Sequence, residues 1–598
     1  MGKPKKDGKL AREPVKATCR DDHARRHELW LLPIVVIIVG TVAYLSSFSG
    51  TFVFDDNPHI IENSRIRSLW PPWRILDSRR PMVCLSLAVN YAMGGLEDLW
   101  SYHAFNLTIH ILTALTLLGI IRRTLMSGAW ARLPAHSAPW IALAAALIWV
   151  VHPLQTQCVT YIIQRGESMM GLFYLLTLYC VIRGVDSPHR RLWYAAAIVA
   201  CALGMGSKAV MVTAPLVVLL YDWVFISKSM GQVLRLRWGL YLGLAATWSV
   251  LFASGLIKGV FSPPSYASVT VGLGFKGISP LEYLATQPGV VLHYLRLAIW
   301  PHPLCLDYGW PVARTAWALI PPALIMGVLL AGTAWALLRK LWWGFLGTWF
   351  FLILAPTSSV MPIRDPIYEH RMYLSLAAIV ILAVIAGHML LGRLVHRVSI
   401  RRFLAAGLTL AIVVVLSYGT YRRNRVYESP LAMWSDVVAK RPGNVRAHYN
   451  LGRNLAQQGR LDEAVEAYRE TVRLEPTHYF AYNNLGTSLA KQDKFDEAIK
   501  AFRRSRQISP SFAEAHFNLG NCLLRQRKLD EAVDAFREAL RYDPGFASAH
   551  YNLGVALQNQ GRLDEAIEEY RETLRLEQDH AGAERELRQA LTRKKAGG

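Results

Sequence analysis

Two adjacent carboxylates, Asp55 and Asp56, directly follow an apolar run that is long enough to cross a membrane. The run, residues 29–50, contains no charged side chain, and about 20 apolar residues span the hydrocarbon core of a bilayer. Ionisable groups in such a place usually have a function, and a carboxylate can act as general base toward a hydroxyl group. The pair therefore predicts acid–base chemistry beside a membrane. The alternative is a cap for a helix that begins near Asn57.

Further ionisable residues occur in loops that are predicted to lie on the same side of the membrane. They are Arg165, Glu167, Lys208, His302, Asp307, Tyr308, Arg364, Asp365, Glu369, His370 and Arg371. Acids and cations from loops far apart in sequence would thus share one face. Taken singly, each cation is explained equally well by contact with lipid headgroups, and Asp307 and Tyr308 by ordering of their own loop.

A set of this kind suits a sugar that is carried on a polyprenyl phosphate. The leaving group is already a stable phosphate, so its departure needs cations rather than a general acid, whereas the attacking hydroxyl needs a base. A single base predicts inversion at the anomeric carbon, because retention would need a second, nucleophilic carboxylate. The expected base is Asp55 or Asp56. The expected phosphate ligands are Arg371, His370, Arg165 and Lys208, and possible further substrate contacts are Glu369, His302, Asp307 and Tyr308.

No motif predicts a metal site. Asp55, Asp56 and His302 are conceivable ligands of one ion, but their spacing matches no known ligand pattern. We therefore predict no metal and no cofactor, with the lipid-linked sugar as a substrate, and the sequence leaves a divalent ion open.

A multi-pass membrane domain must position these residues. Of the 598 residues 53% are hydrophobic, and they are concentrated in long runs, which excludes a soluble protein of this size. Residues 282–300 are expected to lie along or dip into the outer leaflet rather than to cross; if they cross, the C-terminal domain changes sides. About eleven crossings are then predicted, at about 29–50, 103–121, 139–151, 170–182, 192–206, 209–226, 238–257, 315–338, 341–355, 372–391 and 403–421.

Basic residues set the predicted orientation. Residues 1–28 hold nine Lys or Arg against five Asp or Glu, and they predict a disordered cytosolic tail. The positive-inside rule then places the Asp pair and the C-terminus on the outer side. The short basic tail and compact loops suit a bacterial inner membrane better than the endoplasmic reticulum. The same rule explains the net charge of +23 without a nucleic-acid partner. The cytosolic loops would hold Arg122, Arg123, Arg132, Arg183, Arg190, Arg191, Lys228, Arg235, Arg237, Arg339, Lys340, Arg393, Arg397, Arg401 and Arg402.

A different pattern begins near residue 427. Asn-Leu-Gly recurs every 34 residues, and Ala, an aromatic residue and Pro keep the same period. This pattern is typical of tetratricopeptide repeats, in which small residues let paired helices approach and an aromatic ring fills the space between them. The predicted parts after the tail are a membrane domain at 29–425, a linker with a degenerate repeat helix at 426–442, four repeats at 443–578, and a capping helix with a basic tail at 579–598.

The Asn residues of this pattern would occupy the same point of each repeat. Stacked repeats would align their amides, which can both donate to and accept from a peptide backbone. The alternative is that each Asn bonds to the neighbouring repeat. The predicted acceptor-peptide ladder consists of Asn450, Asn484, Asn518 and Asn552.

The order of the motifs resembles that of a known enzyme family. FVFDDNPHIIEN at 52–63, HPLQTQCVTYIIQRGES at 152–168 and EHRMYL at 369–374, followed by the repeats, are similar to the transmembrane and tetratricopeptide-repeat protein O-mannosyltransferases and their bacterial relatives, in the GT-C glycosyltransferase class. The resemblance implies an all-α fold, with a GT-C-like membrane bundle and an α-solenoid. It also implies transfer of a sugar, expected to be mannose, from a polyprenyl phosphate to Ser or Thr hydroxyls of exported proteins. Asp55 would be the base, Asp56 would position the acceptor or sugar, and Arg371 would face the phosphate.

Two other functions fit parts of the sequence. A non-catalytic membrane scaffold would need only the repeats to recruit its partners. A transporter of polyprenyl-linked sugars would carry ionisable residues near the midplane of its helices, whereas here they gather at one surface. The partners expected for the transferase are a polyprenyl-phosphate sugar, a protein or peptide acceptor held by the repeats, and membrane lipids.

Overall fold

A computed structural model describes residues 19–127, 135–254 and 277–597 of the chain. They form two compact units. The first consists of the described residues up to Leu304 together with Trp310–Glu428, and the second consists of Cys305–Gly309 and the residues from Ser429 onward. Outside the described residues lie residues 1–18 of the predicted tail, Arg132, and residues 255–257 at the end of the predicted crossing 238–257. The first helix begins at Cys19, so the last ten residues of the tail predicted to be disordered are helical.

The first unit is a bundle of helices. Its α-helices α1 to α16 are Cys19–Tyr44, Trp73–Leu76, Pro81–Gly94, Leu99–Met126, Ala138–Val150, Thr156–Val159, Arg165–Val185, Arg190–Met205, Ala214–Tyr221, Met230–Ala246, Trp248–Ala253, Pro280–Ile299, Ala316–Leu338, Trp342–Leu354, Met372–Leu394 and Val398–Asn424. Polar residues begin several of them: the Asp98 side chain accepts from the Ser101 N–H before α4, and Ser279 and Glu282 form a capping box at α12.

Seven of the described helices are long and apolar enough to cross a membrane, and an eighth is added if the bent pair α5 and Pro153–Val159 is one span. The chain is therefore a multi-pass membrane protein. Three predicted crossings coincide with shorter helices, α8, α10 with α11, and α14. The last has 13 residues, or about 20 Å, against about 30 Å of hydrocarbon. The count of eleven stays a prediction.

The helix α12 contacts one end of the bundle along most of its length. The Tyr283 hydroxyl donates to the Thr357 carbonyl, Tyr294 exchanges hydrogen bonds with Tyr368, and the Ala298 carbonyl bonds to His152. Tyr283 and Ala298 are about 22 Å apart along the helix axis. These contacts place the helix against one end of the bundle, and its position along the outer leaflet stays a prediction.

The second unit is an α-solenoid of paired antiparallel helices, which confirms the predicted repeats. In each repeat a glycine of the first helix packs against an aromatic ring of the second. A Cβ atom added at Gly452 would lie 2.7 Å from Tyr468, and one added at Gly520 would lie 2.6 Å from Phe536. The helices α17 to α26 are Pro430–Lys440, Val445–Gln457, Leu461–Leu474, Tyr479–Lys491, Phe495–Ile508, Ala513–Arg525, Leu529–Tyr542, Ala547–Asn559, Leu563–Leu576 and Ala581–Gly597.

Candidate active site

A buried stretch between α5 and α7 connects the loops at one end of the bundle. We call residues 151–168 the bridging segment; all of them except Gln164 are buried. The chain bends by 54° where the segment begins, which turns it across the bundle end. The Gln157 side chain accepts from the backbone N–H of His370 at 2.8 Å, and Thr160 donates to Asn424 at 2.7 Å. The segment thus contacts residues that lie more than 200 positions further along the chain.

The bridging segment also holds the loop that carries Asp55. The backbone N–H of Asp55 donates to the Tyr161 hydroxyl at 2.7 Å, and the Asp55 carbonyl lies 2.9 Å from Nδ1 of His59. The Tyr161 ring stacks on Tyr427, and burial keeps its pKa well above the usual value. The Asp55 side chain is only partly buried, as a base that must reach a substrate has to be.

Asp56 has a different environment, which corrects its predicted contact with the substrate. It is fully buried, and each carboxylate oxygen accepts one backbone N–H, from Val53 at 2.9 Å and from Ile163 at 2.8 Å. Burial raises the pKa of Asp56 to about 8, although both N–H groups and the charge of Arg165 act in the opposite direction. Asp56 therefore fastens the loop to the bridging segment, which positions Asp55.

Glu167, Lys208 and His370 form a polar cluster in the same region. Lys208 pairs with Glu167, and Nε2 of His370 lies 3.8 Å from the same carboxylate oxygen. The Lys208 side chain is 14% exposed and Glu167 only 3%. Burial lowers the pKa of Lys208, and the charge of Glu167 opposes that shift. The structure thus brings together two of the predicted phosphate ligands, and it gives each the same carboxylate partner.

Arg80 is a cation of this region that the sequence analysis did not single out. It directly precedes α3 and is partly exposed, and its charge acts on both Lys208 and His370. The ion pairs among the described residues do not include Arg80. In the sequence Arg80 stands between Arg79 and Pro81. The predicted topology places both arginines in the same loop and does not distinguish one from the other.

The predicted phosphate ligand Arg165 is fully buried. One terminal nitrogen donates to Asn90 Oδ1 at 2.6 Å, and the other donates to the Tyr102 carbonyl at 3.2 Å. The guanidinium also lies 4.9 Å from the centre of the Phe105 ring. Because both terminal nitrogens donate to neutral groups of α3 and α4, Arg165 joins these helices to α7, and this corrects the predicted contact with a donor phosphate.

Arg371 is also occupied by its own neighbourhood. Its guanidinium donates to the carbonyls of Pro366 at 2.7 Å, Asp365 at 3.1 Å and Thr357 at 3.3 Å, and it lies against the Tyr368 ring. It is 6% exposed. Arg371 therefore orders the loop between α14 and α15, and its predicted role toward the phosphate is corrected in the same way.

The remaining predicted substrate contacts have different environments. Glu369 is fully buried, with Oε2 3.6 Å from Arg423. His302 is exposed, and its carbonyl accepts from Arg296. Asp307 and Tyr308 belong to the second unit, and their predicted contact with the substrate stays a prediction.

The short stretch Cys305–Gly309 is held by the start of the repeats. Asp307 pairs with Arg446 at 2.5 Å, its carbonyl accepts from Asn444 at 3.2 Å, and Arg441 lies over the Tyr308 ring. These contacts order the stretch within its unit. Ordering of their own loop was the alternative that we predicted for Asp307 and Tyr308.

The Asn ladder bonds mainly within the solenoid. The Asn450 amide donates to the Arg446 carbonyl in its own helix. The other three amides donate to the preceding repeat: Asn484 to Tyr449, Asn518 to Asn483, and Asn552 to Asn521. Repeat-to-repeat bonding, the alternative predicted for this pattern, therefore describes the donors of three of the four Asn residues.

The second repeat interrupts an otherwise regular row of aromatic pairs. Tyr449 packs against His478, Phe517 against Phe546 and Tyr551 against His580, each pair with tilted rings. The equivalent position in the second repeat is Asn483, which donates to Glu514 at 3.3 Å. Phe512, the ring that Asn483 leaves without its regular partner, packs instead against Phe480 at 5.2 Å between ring centres. Phe480 is 43% exposed. We call Phe480, Asn483 and Glu514 the second-repeat patch; it combines an exposed ring with a hydrogen-bonded polar pair.

Comparisons with known proteins confirm the resemblance predicted from the motifs. The tetratricopeptide-repeat family matches residues 445–478, 483–544 and 523–583. A protein O-mannosyl-transferase of Caenorhabditis elegans is 24% identical over 74% of this chain and 62% of its own length. Protein O-mannosyl-transferase TMTC4 of Homo sapiens is 25% identical over 73% of this chain and 65% of its own. The chain thus spans less than two thirds of these relatives.

Two solved structures match about a quarter of this chain. The crystal structure of MamA is 26% identical, with a TM-score of 0.25, and the match covers 27% of this chain and 87% of MamA. The structure of YrrB, described as a tetratricopeptide-repeat protein with an unusual peptide-binding site, is 26% identical with a TM-score of 0.24 over 26% of this chain and 79% of YrrB.

Proposed function

We propose that this protein is a membrane glycosyltransferase that moves mannose from a polyprenyl-phosphate carrier to Ser or Thr hydroxyls of proteins. The observation that carries the proposal is the bridging segment, which fastens the Asp55 loop through Tyr161 and also supplies Glu167 to the cationic cluster. A base and a set of cations are what this reaction needs. The similarity to protein O-mannosyl-transferases supports the same sugar and the same class of acceptor.

In the proposed reaction the Asp55 carboxylate takes the proton of the acceptor hydroxyl as its oxygen attacks the anomeric carbon. The bond from that carbon to the carrier phosphate breaks, and the polyprenyl phosphate leaves with the electron pair. Asp55 is the proposed base, because Asp56 uses both oxygens to hold the loop. Glu167 is paired with Lys208, which supports a mechanism without a second, nucleophilic carboxylate and hence inversion.

Arg80 and Lys208 are the proposed ligands of the carrier phosphate. Both retain some exposure, whereas the donors of Arg165 and Arg371 are directed into the protein. The charge on the phosphate grows as the glycosidic bond breaks, so a nearby cation stabilises the transition state more than the bound donor.

The proposed orientation places this end of the bundle on the non-cytosolic side, where the positive-inside rule puts it. The repeats are proposed to hold the protein acceptor. The second-repeat patch suits this role, because Phe480 offers apolar area and Glu514 a charge at one place on the solenoid. Aromatic side chains are frequent among residues that dominate binding energy.

The proposal is tested by transfer of radiolabelled mannose from a polyprenyl-phosphate donor to a protein acceptor, with full-length protein in proteoliposomes. We expect Asp55→Asn to lower the rate by about 10²- to 10⁴-fold, the usual contribution of a general base. Glu62→Gln is the matched control, because Glu62 is an exposed carboxylate of the same loop, and it should keep the wild-type rate. Equal rates for wild type and Asp55→Asn would refute the mechanism, and the anomeric configuration of the product tests inversion.

A further inference from the structure

A cavity of about 1680 Å³ lies at the other end of the membrane bundle, between α1, α5, α15 and α16. Its deeper lining is apolar and includes Val39, Leu147 and Val413. Arg401 and Val413, both in the lining, are twelve residues apart on α16, or about 18 Å along the helix. That depth is close to about 15 Å, half of the hydrocarbon thickness of a bilayer.

The rim of the cavity is basic. Its cationic residues come from the end of α4 and the start of α16, and the lining holds one carboxylate, Asp186. The ion pairs of the described residues involve none of the four arginines at this rim, and the buried Nε of Arg123 has no hydrogen-bond partner. The basic rim residues are Arg122, Arg123, His136, His388, Arg401 and Arg402.

Asp55 and the polar cluster of Glu167, Lys208 and His370, which together we call the Asp55 cluster, lie at the opposite end of the same helices from the basic rim. On α4, Tyr102 accepts from Arg165 beside the Asp55 cluster, whereas Arg122 lies at the cavity rim. The two residues are twenty positions apart in one helix, or about 30 Å, which is the thickness of the hydrocarbon core. The cavity therefore opens toward the leaflet that does not contain the cluster.

We propose that this cavity binds a membrane phospholipid with an anionic headgroup, whose phosphate contacts the rim arginines and whose acyl chains fill the apolar part. The rim is complementary to a negative headgroup, and basic pockets between membrane helices recognise such lipids. Phosphatidylglycerol is a lipid of this class. The phosphate of a bound carrier lipid would lie at the wrong end of the bundle for transfer, so the donor is not the proposed occupant.

The chain's own N-terminal residues do not suit the rim either. Residues 1–18 hold six Lys or Arg against two acidic residues, so the rim arginines would repel them. An anionic lipid is complementary in both charge and apolar area, and this decides between the occupants.

The experiment uses delipidated full-length protein, incubated with equal amounts of phosphatidylglycerol and phosphatidylcholine of the same chain length. Native mass spectrometry then measures how much of each lipid stays bound. We expect wild type to retain phosphatidylglycerol in preference. Replacing Arg401 and Arg402 by Gln should lower that preference by about tenfold, because each basic residue near an anionic lipid contributes several-fold in affinity. Arg393 and Arg397, basic residues of the same region outside the lining, provide the matched Gln control.

A second pair of variants tests the apolar part without changing charge. Gly387 lines the cavity, and a Cβ atom there would meet nothing within 4 Å, so we expect the side chain of Gly387→Leu to occupy part of the cavity. Gly407 is equally open but outside the lining, so Gly407→Leu is the control. We expect only Gly387→Leu to lose the bound phospholipid.

Three results would overturn the proposal. One is equal retention of both lipids by wild type. Another is an equal loss of bound phosphatidylglycerol in the cavity variants and in their controls. The third is displacement of phosphatidylglycerol by an equal amount of polyprenyl phosphate, which would make the carrier the occupant.

Discussion

Replacing Arg80 by Gln tests most directly how the site handles the donor phosphate. Lys208 is neutralised by Glu167, whereas Arg80 is partly exposed and forms none of the described ion pairs. A hydrogen bond to a charged group contributes about 1.5–3 kcal/mol, which corresponds to about 10- to 150-fold in rate. Partial exposure to solvent places the expected loss in the lower half of that range. Arg80→Gln should therefore lower kcat/KM for the lipid donor by about 10- to 50-fold.

The division between kcat and KM carries the mechanistic information. The phosphodiester of the donor has one negative charge, and the departing phosphate gains a second as the bond breaks. A cation that faces this phosphate stabilises the transition state more than the bound donor, so most of the loss should appear in kcat. Initial rates are measured against donor concentration at saturating acceptor. Arg80→Lys should recover much of the loss, because the positive charge is retained.

Arg79→Gln is the control, because Arg79 is the neighbouring exposed arginine. It should change kcat/KM less than twofold. If the two Gln variants behave alike, the contribution of Arg80 is a general surface potential and not a contact with the phosphate. A loss confined to KM for the protein acceptor would refute the assignment as well.

Three further outcomes are expected. Lys208→Met should destabilise the protein by about 3–5 kcal/mol, because it leaves buried Glu167 without its partner. Adding Glu167→Gln should restore most of the thermal unfolding midpoint but not the transfer activity. Additive losses of stability in the double variant would refute this coupling. Asp56 has a folded-state pKa of about 8, above the ordinary 3.8, so the folded state keeps a proton that the unfolded state releases. Wild-type stability should therefore fall from pH 5 to pH 8 relative to Asp56→Asn, and pH-independent differences in thermal midpoint would contradict that assignment. Phe480→Ala should raise KM for a protein acceptor about tenfold with little change for a short peptide, and equal effects on both would remove the second-repeat patch from acceptor binding.

The periodic part of the fold was predictable, because its cause is local spacing. Gly452 and Tyr468 recur as a pair every 34 residues, and the structure shows why: only a residue without Cβ leaves room for the ring. The apolar runs likewise predicted the membrane helices. The same reasoning identified the Asp55 region, since a charged pair at the end of an apolar run is visible in a single stretch of sequence.

The partners of individual polar groups were not predictable in this way. Asp55 meets Tyr161 across 106 positions, and Asp307 meets Arg446 across 139, with no periodicity that connects them. Arg371 was expected to bind a phosphate, yet the carbonyls of a nearby loop use its donors. Whether an arginine faces a substrate or its own backbone depends on how the loop closes, which the residue type does not reveal.

The bend at the start of the bridging segment explains how a membrane bundle can hold these groups at all. Breaking a helix at membrane depth exposes carbonyls that lipid cannot satisfy, so a break persists only where protein groups replace the lost bonds. Here the Val151 carbonyl accepts from Thr420 at 2.6 Å, and the Val159 carbonyl accepts from Asn106 at 3.0 Å. These polar residues of α4 and α16 have no part in the proposed chemistry. They make the bend possible, and the bend lets one segment reach both the base loop and the cationic cluster.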